Sequence, residues 1–156
     1  MKEIKKIVLT IFLSVLLDQA IKILVTYNMN LGDSIRINNF FNITLAHNIG
    51  AAWSILSGGR IILILLGIIA INVIYFLCIY NKKLKTRDQI FYGMLIGGIV
   101  GNLIDRLVFG YVIDYLDFYI FGYNYPIFNL ADILIVVSVI LIIIFSFKGK
   151  NETSSK

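Results

Sequence analysis

Four stretches of the sequence, at 7–27, 60–80, 89–108 and 127–147, are each about twenty residues long and almost free of charge. That pattern leaves few folds open. At a rise of about 1.5 Å per residue, each stretch is a helix long enough to cross a hydrocarbon layer of about 30 Å. Lipid admits only helices and closed barrels, because every backbone N–H and C=O must find its partner inside the protein. A single proline and long apolar runs at 61–71 and 133–147 favour helices. With 59% of its 156 residues apolar, the chain lacks the polar surface that a soluble domain needs. The predicted fold is an all-α integral membrane protein, one domain over 1–156 with four transmembrane helices.

The net charge of +5 is explained by where the cations stand. Ten of the 14 Lys and Arg residues fall in three clusters: Lys2, Lys5 and Lys6; Lys82, Lys83, Lys85 and Arg87; Lys148, Lys150 and Lys156. Each cluster flanks an apolar run. By the positive-inside rule the termini and the 81–88 loop are cytoplasmic, and the loops at 28–59 and 109–126 lie outside. Charge placed this way sets topology and meets anionic headgroups, and it excludes nucleic acid as a partner. The basic start and apolar 7–17 resemble a signal peptide, yet no small-x-small cleavage site follows, so a retained helix is expected. In the first outer loop, Ile35, Ile37, Phe40, Ile43 and Leu45 alternate roughly, which predicts a small extracytoplasmic β element over 34–45. Ser57-Gly58-Gly59 signals a turn before the second span. Cys78 stands alone and can form no intramolecular disulfide.

Ionisable groups inside spans cost a few kcal/mol each on insertion scales, so each one is a functional candidate. Asp18 lies roughly 18 Å beyond Lys6, Asp105 roughly 24 Å beyond Gln89, and Asp132 about 8 Å below the start of the fourth span. Asp114 follows the third span directly. These acids therefore share one depth, the outer leaflet. Every feature also has a plainer reading. Asp18 and Lys22, four apart, pair on one helix face as readily as they act in chemistry. Asp105 and Arg106 suit an outer helix end, where Arg reaches for water. Asn102 and the glycines at 93, 97, 98 and 101 suit close helix packing. Asn48 to Trp53 reads as a loop turn with an interfacial Trp, Asn129 as a cap of the fourth helix, and Asp117 as solvated. His47, the only histidine, stands in a loop, where a lone histidine is expected to have no special role.

Several chemistries are ruled out. No HExxH string or Cys/His cluster offers a zinc site, and no nucleophile elbow accompanies His47. Carboxylates and carboxamides remain at the outer face. Two aspartates within a few ångströms cannot both ionise, so one keeps a proton. That pair can activate water and protonate a carbonyl, while Asn side chains and Arg106 steady the developing charge.

Five strings carry a resemblance: Asp18-Gln19-x-x-Lys22; Asn48-x-Gly50-Ala51-Ala52-Trp53-Ser54; Gly101-Asn102-Leu103-Ile104-Asp105-Arg106; Val112-Ile113-Asp114-Tyr115; and Phe128-Asn129-x-Ala131-Asp132. In order and spacing they resemble the lipoprotein signal peptidase (signal peptidase II) family. The resemblance implies a bacterial cell-membrane aspartic endopeptidase with its site at the outer face. Such an enzyme removes signal peptides from diacylglyceryl-modified prolipoproteins by cutting before the lipidated cysteine. It implies Asp114 and Asp132 as the catalytic pair. Asp18, Lys22, Asn48, Gly50, Asn102, Asp105, Arg106 and Asn129 become supporting or substrate-binding residues. It also implies a β platform on the membrane surface, no metal or organic cofactor, prolipoprotein and membrane lipids as partners, and a monomer.

Departures from the family pattern are mild. Ile21 precedes Lys22 where Ser or Thr is common, Val112-Ile113-Asp114-Tyr115 replaces the commoner Val-Val-Asp-Phe, and Ile133 follows Asp132 in place of Ser. Two other readings stay open at this point. A small proton-coupled transporter subunit would use Asp18, Asp105 and Asp132 as a relay, but the inner helix halves offer only Asn72 and Ser14 to continue it. A non-enzymatic assembly factor would dimerise through the glycines of the third span.

Overall fold

The computed structural model describes residues 4–50 and 58–154. Ala51, Ala52, Trp53, Ser54 and Ser57, with Lys2 and Lys156, lie outside the described residues, as do the side chains of Lys148 and Lys150. The elements in chain order are α1 (Lys5–Asn28), β1 (Ser34–Arg36), β2 (Phe41–Asn48), α2 (Arg60–Ile74), α3 (Thr86–Val108), β3 (Val112–Ile120), β4 (Tyr123–Asn124) and α4 (Leu130–Ser154). A wide π turn, Tyr75–Ile79, finishes α2, and Asn81 at φ 56° ends it. Among the described residues, four helices are long and apolar enough to cross a membrane.

Helix α3 is the axis of the bundle and packs against α1, α2 and α4. Its small residues explain why. In lipid no hydrophobic force drives helices together, so close van der Waals approach must do it. Gly93, Gly97 and Gly101 recur every four residues and form one ridge. A Cβ on them would lie 2.6 Å from Thr10 Cβ, Ser14 Cβ and Asp18 Oδ2 respectively, which themselves recur every four residues on α1. Gly98 faces α4, where a Cβ would meet Ile135 Cγ1 at 2.9 Å. By contrast α2 has no buried residue, and its leucines and isoleucines face outward, as a lipid-bathed helix requires.

At the end of the bundle where α1 and α3 finish, an antiparallel sheet lies in the order β1-β2-β3-β4. Ala46 pairs with Asp114, His47 with Ile113 and Asn48 with Val112, and a bulge interrupts β2 between Ile43 and Ala46. Ile113, Tyr115 and Leu45 pack on Val25 and Met29 at the end of α1, which seats the sheet across that helix. The expected β element in the first loop is present, but the sheet draws equally on the second. Residues 109–126 showed no clean alternation because β3 is buried on both faces over Val112–Tyr115. Two span boundaries also move. Helix α3 starts at Thr86, three residues before the expected start. Helix α4 starts at Leu130 because residues 125–128 run back along β3, with Phe128 N donating to Leu116 O at 3.1 Å.

The ridge yields a stability prediction. Gly97→Val forces α1 and α3 apart and lowers stability by about 1–3 kcal/mol, read as the thermal unfolding midpoint in detergent. Leu66→Val, on the outward side of α2, changes it by no more than about 0.5 kcal/mol. Equal effects of the two substitutions would show that the glycine ridge is not the packing contact described.

Candidate active site

Polar side chains from α1, α3, β2, β3 and α4 meet beneath the sheet. The largest is Lys22, which is 1% exposed. Its Nζ lies 2.8 Å from Asp18 Oδ2 and 2.8 Å from Asp105 Oδ2, with both acids fully buried. The i,i+4 pairing within α1 is therefore present, and α3 supplies a second carboxylate. The remaining lone pairs are satisfied as well. Asp18 Oδ1 accepts the Ala131 N–H of α4 at 3.0 Å, and Asp105 Oδ2 accepts the Ile113 N–H of β3 at 3.0 Å. Gln19 Nε2 donates to Asp105 Oδ1 at 2.9 Å, and to Asp18 Oδ2 and Gly101 O at 3.2 Å. Two carboxylates share one ammonium, and the N–H donors of Ala131, Ile113 and Gln19 offset the excess negative charge, as a buried ion group requires.

Lys22 also donates to Asn102 Oδ1 at 3.2 Å, and that oxygen takes Asn129 Nδ2 at 3.1 Å. Two donors on one oxygen fix the Asn102 amide, so that its Nδ2 donates to Asp132 Oδ1 at 2.7 Å. Asn129 caps α4: its Oδ1 accepts the Asp132 N–H at 3.0 Å, while Asp132 Oδ2 faces the Asn129 N–H at 3.3 Å. This reciprocal pair is a capping box with Asp at its third helical position, where the helix dipole favours a carboxylate. The same Asn129 side chain donates to Asp114 Oδ1 at 2.7 Å. Asp114 Oδ2 accepts Asn48 Nδ2 at 3.0 Å, and Asn48 Oδ1 accepts the Gly50 N–H at 2.9 Å. Arg106 closes the ring, donating to Gly50 O at 2.8 Å and Asn102 O at 3.3 Å.

All ten candidate residues thus join one connected network. Asp114, almost fully buried, is pushed up to about 7 by desolvation first and by the charge of Asp132 second, against the lowering hydrogen bonds from Asn48 and Asn129. Among the described residues, no three His, Cys, Asp or Glu side chains gather as a metal site.

Four residues read differently from their sequence. Asp117 was expected in solvent, but it is 9% exposed and accepts Thr44 Oγ1 at 2.8 Å and Asn42 Nδ2 at 3.3 Å, because pairing with β2 sets these two donors beside it. His47 stacks on Tyr111 with ring centroids 3.7 Å apart. Gln19 stood inside the first string, yet a count of ionisable groups alone passes over it. An amide in the middle of an apolar span is also costly, and that was the available signal. Arg60, read only as a span boundary, donates to Arg106 O at 2.7 Å and Leu107 O at 2.9 Å, and so caps the last turn of α3.

Fold and site together define a multi-pass membrane enzyme. Two solved structures described as bacterial membrane enzymes, determined in meso, share this architecture. One has a TM-score of 0.86 at 36% identity, covering 96% of this chain and 92% of its own. The other has a TM-score of 0.81 at 38% identity, covering 91% and 92%. The chain belongs to the signal peptidase II family, a family of aspartic peptidases: residues 10–148 match the family described as Signal peptidase (SPase) II. The lipoprotein signal peptidase of Staphylococcus haemolyticus is 41% identical over 154 residues, 95% of this chain and 98% of its own. That of Staphylococcus aureus strain JH9 is 39% identical over 143 residues, 91% and 88%. Membership decides for the peptidase and against the transporter.

Removing the cation tests the network. Lys22→Met strands two buried carboxylates and destabilises the protein by about 3–5 kcal/mol, measured by detergent melting at pH 7. The double variant Lys22→Met with Asp18→Asn recovers part of that loss. No recovery would show that charge pairing is not what Lys22 supplies.

Proposed function

We propose that this protein removes the signal peptide from diacylglyceryl-modified prolipoproteins, with Asp114 and Asp132 as the catalytic pair at the outer face of the bacterial cell membrane. The observation that carries the reading is the Asn129 side chain shared between the two acids: it donates to Asp114 and caps the helix turn that holds Asp132. One carboxyl stands on a strand and the other on the first turn of a helix, so both face the seam between sheet and bundle. Family membership supports a peptidase, and the names of the relatives support a prolipoprotein substrate. The basic clusters support the orientation, since they place the sheet and the acids outside.

The chemistry then follows. Asp132 accepts hydrogen bonds on both oxygens and sits at the positive end of α4, so it serves as the carboxylate that takes a proton from water. Asp114, raised to about 7, keeps the shared proton and gives it to the carbonyl oxygen of the scissile peptide. The water oxygen bonds to the carbonyl carbon and forms a gem-diol. Asp132 then gives its proton to the amide nitrogen while Asp114 takes one back from a diol hydroxyl, so the C–N bond breaks, a carboxylic acid remains on the signal peptide and the lipidated cysteine is freed as a new N-terminus. Arg106 and Asn48 lie beside the site, where charge develops. A signal peptide spans the membrane with its cleavage point near the outer surface, the same depth as these acids.

Asp114→Asn and Asp132→Asn each lower cleavage of a diacylglyceryl-modified prolipoprotein by roughly 10³-fold or more, with the melting point retained, because Asn keeps the shape but cannot cycle a proton. Unmodified prolipoprotein is not cut. Asp105→Asn leaves residual turnover. A dead Asp105→Asn beside an active Asp114→Asn would sink the assignment. The pH profile follows from the same proton: kcat/KM holds just below pH 7 and falls with rising pH once the shared proton is lost. A rate that climbs steadily to pH 9 would contradict the assignment of Asp114 as proton donor.

A further inference from the structure

Helix α2 carries one side chain that neither the packing nor the reaction explains. Asn72 is the one polar side chain between residues 61 and 74, and it is exposed. It stands about 18 Å below Arg60 and about 12 Å from Tyr80 at the other end, inside a hydrocarbon layer of about 30 Å. A polar group at that depth is costly unless it is bonded. Its Nδ2 donates to Ile68 O of its own helix at 2.8 Å. Among the described residues, no other group takes its second N–H or gives to its Oδ1.

The helix period gives the direction of that side chain. Gly67 faces α3, where a Cβ would lie 2.9 Å from Leu103 Cδ2. At about 100° per residue, Asn72 lies roughly 140° round from Gly67, on the side turned away from α3. It does not lie there alone. Ile61, Leu65, Ile68, Asn72 and Tyr75 follow one another at spacings of 4, 3, 4 and 3 residues, and all are exposed. That is the a/d spacing of a helix–helix seam, with the amide at an a position.

We infer that this face of α2 docks a second copy of the chain, with the two Asn72 amides hydrogen-bonded to each other. The membrane selects the occupant. Copies oriented by the same basic clusters point the same way, so their twofold axis stands along the membrane normal. Each residue of one α2 then meets its own counterpart at the same depth. Across that axis an amide complements itself, because the free N–H of each gives to the Oδ1 of the other. Lipid tails offer no such group, and a different protein would need a polar side chain set independently at this depth. The pair departs from the monomer that the family resemblance implies, and it does not rest on the proposed cleavage reaction.

The test uses the full chain in liposomes at rising lipid-to-protein ratios, with Cys78→Ser as background. One cysteine is placed on the seam, Leu65→Cys, or beside it, Leu66→Cys, two positions exposed to nearly the same extent. Copper phenanthroline should join Leu65→Cys chains into a disulfide dimer that persists on dilution in lipid, and should leave Leu66→Cys largely single. Energy transfer between dyes on Lys83→Cys chains gives the dissociation constant. Asn72→Leu, which suits a lipid-facing position, should raise it about tenfold, and Asn72→Gln, which keeps the amide, no more than about twofold. Equal cross-linking at the two positions overturns the pair, as does a dimer fraction that falls with dilution as chance collisions do. So does an unchanged dissociation constant for Asn72→Leu. Cleavage of prolipoprotein by the same liposomes reads the proposed function separately, so either proposal can fail while the other stands.

Discussion

Lys22 is held between two carboxylates that come from different helices, and the rest of the site is arranged around that fact. A lone ammonium in the middle of a membrane bundle would not stay charged, and two buried carboxylates without it would repel each other. Together they satisfy one another and fix the distance between α1 and α3. The remaining oxygens then reach outward. Asp18 takes the Ala131 N–H at the start of α4, and Asp105 takes the Ile113 N–H at the start of β3. One ion group therefore sets the position of four elements. The glycine ridge is its steric counterpart: with a Cβ at Gly101 only 2.6 Å from Asp18 Oδ2, no larger residue leaves room for the pair.

From that base the order passes upward through amides. Asn102 transmits the position of Lys22 to Asp132, and Asn129 transmits the start of α4 to Asp114. Carboxamides suit this work because each offers donors and acceptors in a fixed plane and adds no charge of its own. Two acids can then lie close without further acids or cations to distort their shared proton. The ion group below and the proposed pair above are chemically separate although they are one network, which explains why Asp105, the acid most visible inside the third span, touches Lys22 and a strand N–H but neither Asp114 nor Asp132.

Much of this was legible in the residues. Span number, the i,i+4 pairing of Asp18 with Lys22 and the cap at Asn129 follow from period, spacing and residue type, all of which are local. Partners across the fold were not legible: nothing near Lys22 in the chain announces Asp105, eighty-three positions on. Strand β3 was hidden for a physical reason, since burial on both faces erases the alternation that marks a half-exposed strand. Asp117 misled because an acid in a loop without Lys or Arg reads as solvated unless its donors, Thr44 and Asn42, are known to lie across the sheet. The chemistry of the pair came from family resemblance, and the contacts that join its members came from the fold.

The proposed pair sits on a seam between two bodies, not within either one. Asp132 moves with the bundle and Asp114 with the sheet, so their relative placement depends on what docks the sheet. Polar ties cross the seam from Ile113 to Asp105, from Asn129 to Asp114 and from Arg106 to Gly50, and the Val25–Met29 patch adds an apolar seat. These ties gather around the start of β3, next to Asp114, and Ile43 and Leu116 extend the apolar seat along the strands. A lever fixed only at its base transmits motion of its tip to the fixed end. A sheet held only at its base would let thermal motion of the β3–β4 hairpin reach Asp114, and acid–base chemistry tolerates little of that. The polar ties and the apolar seat at the seam are therefore what hold Asp114 in register with Asp132.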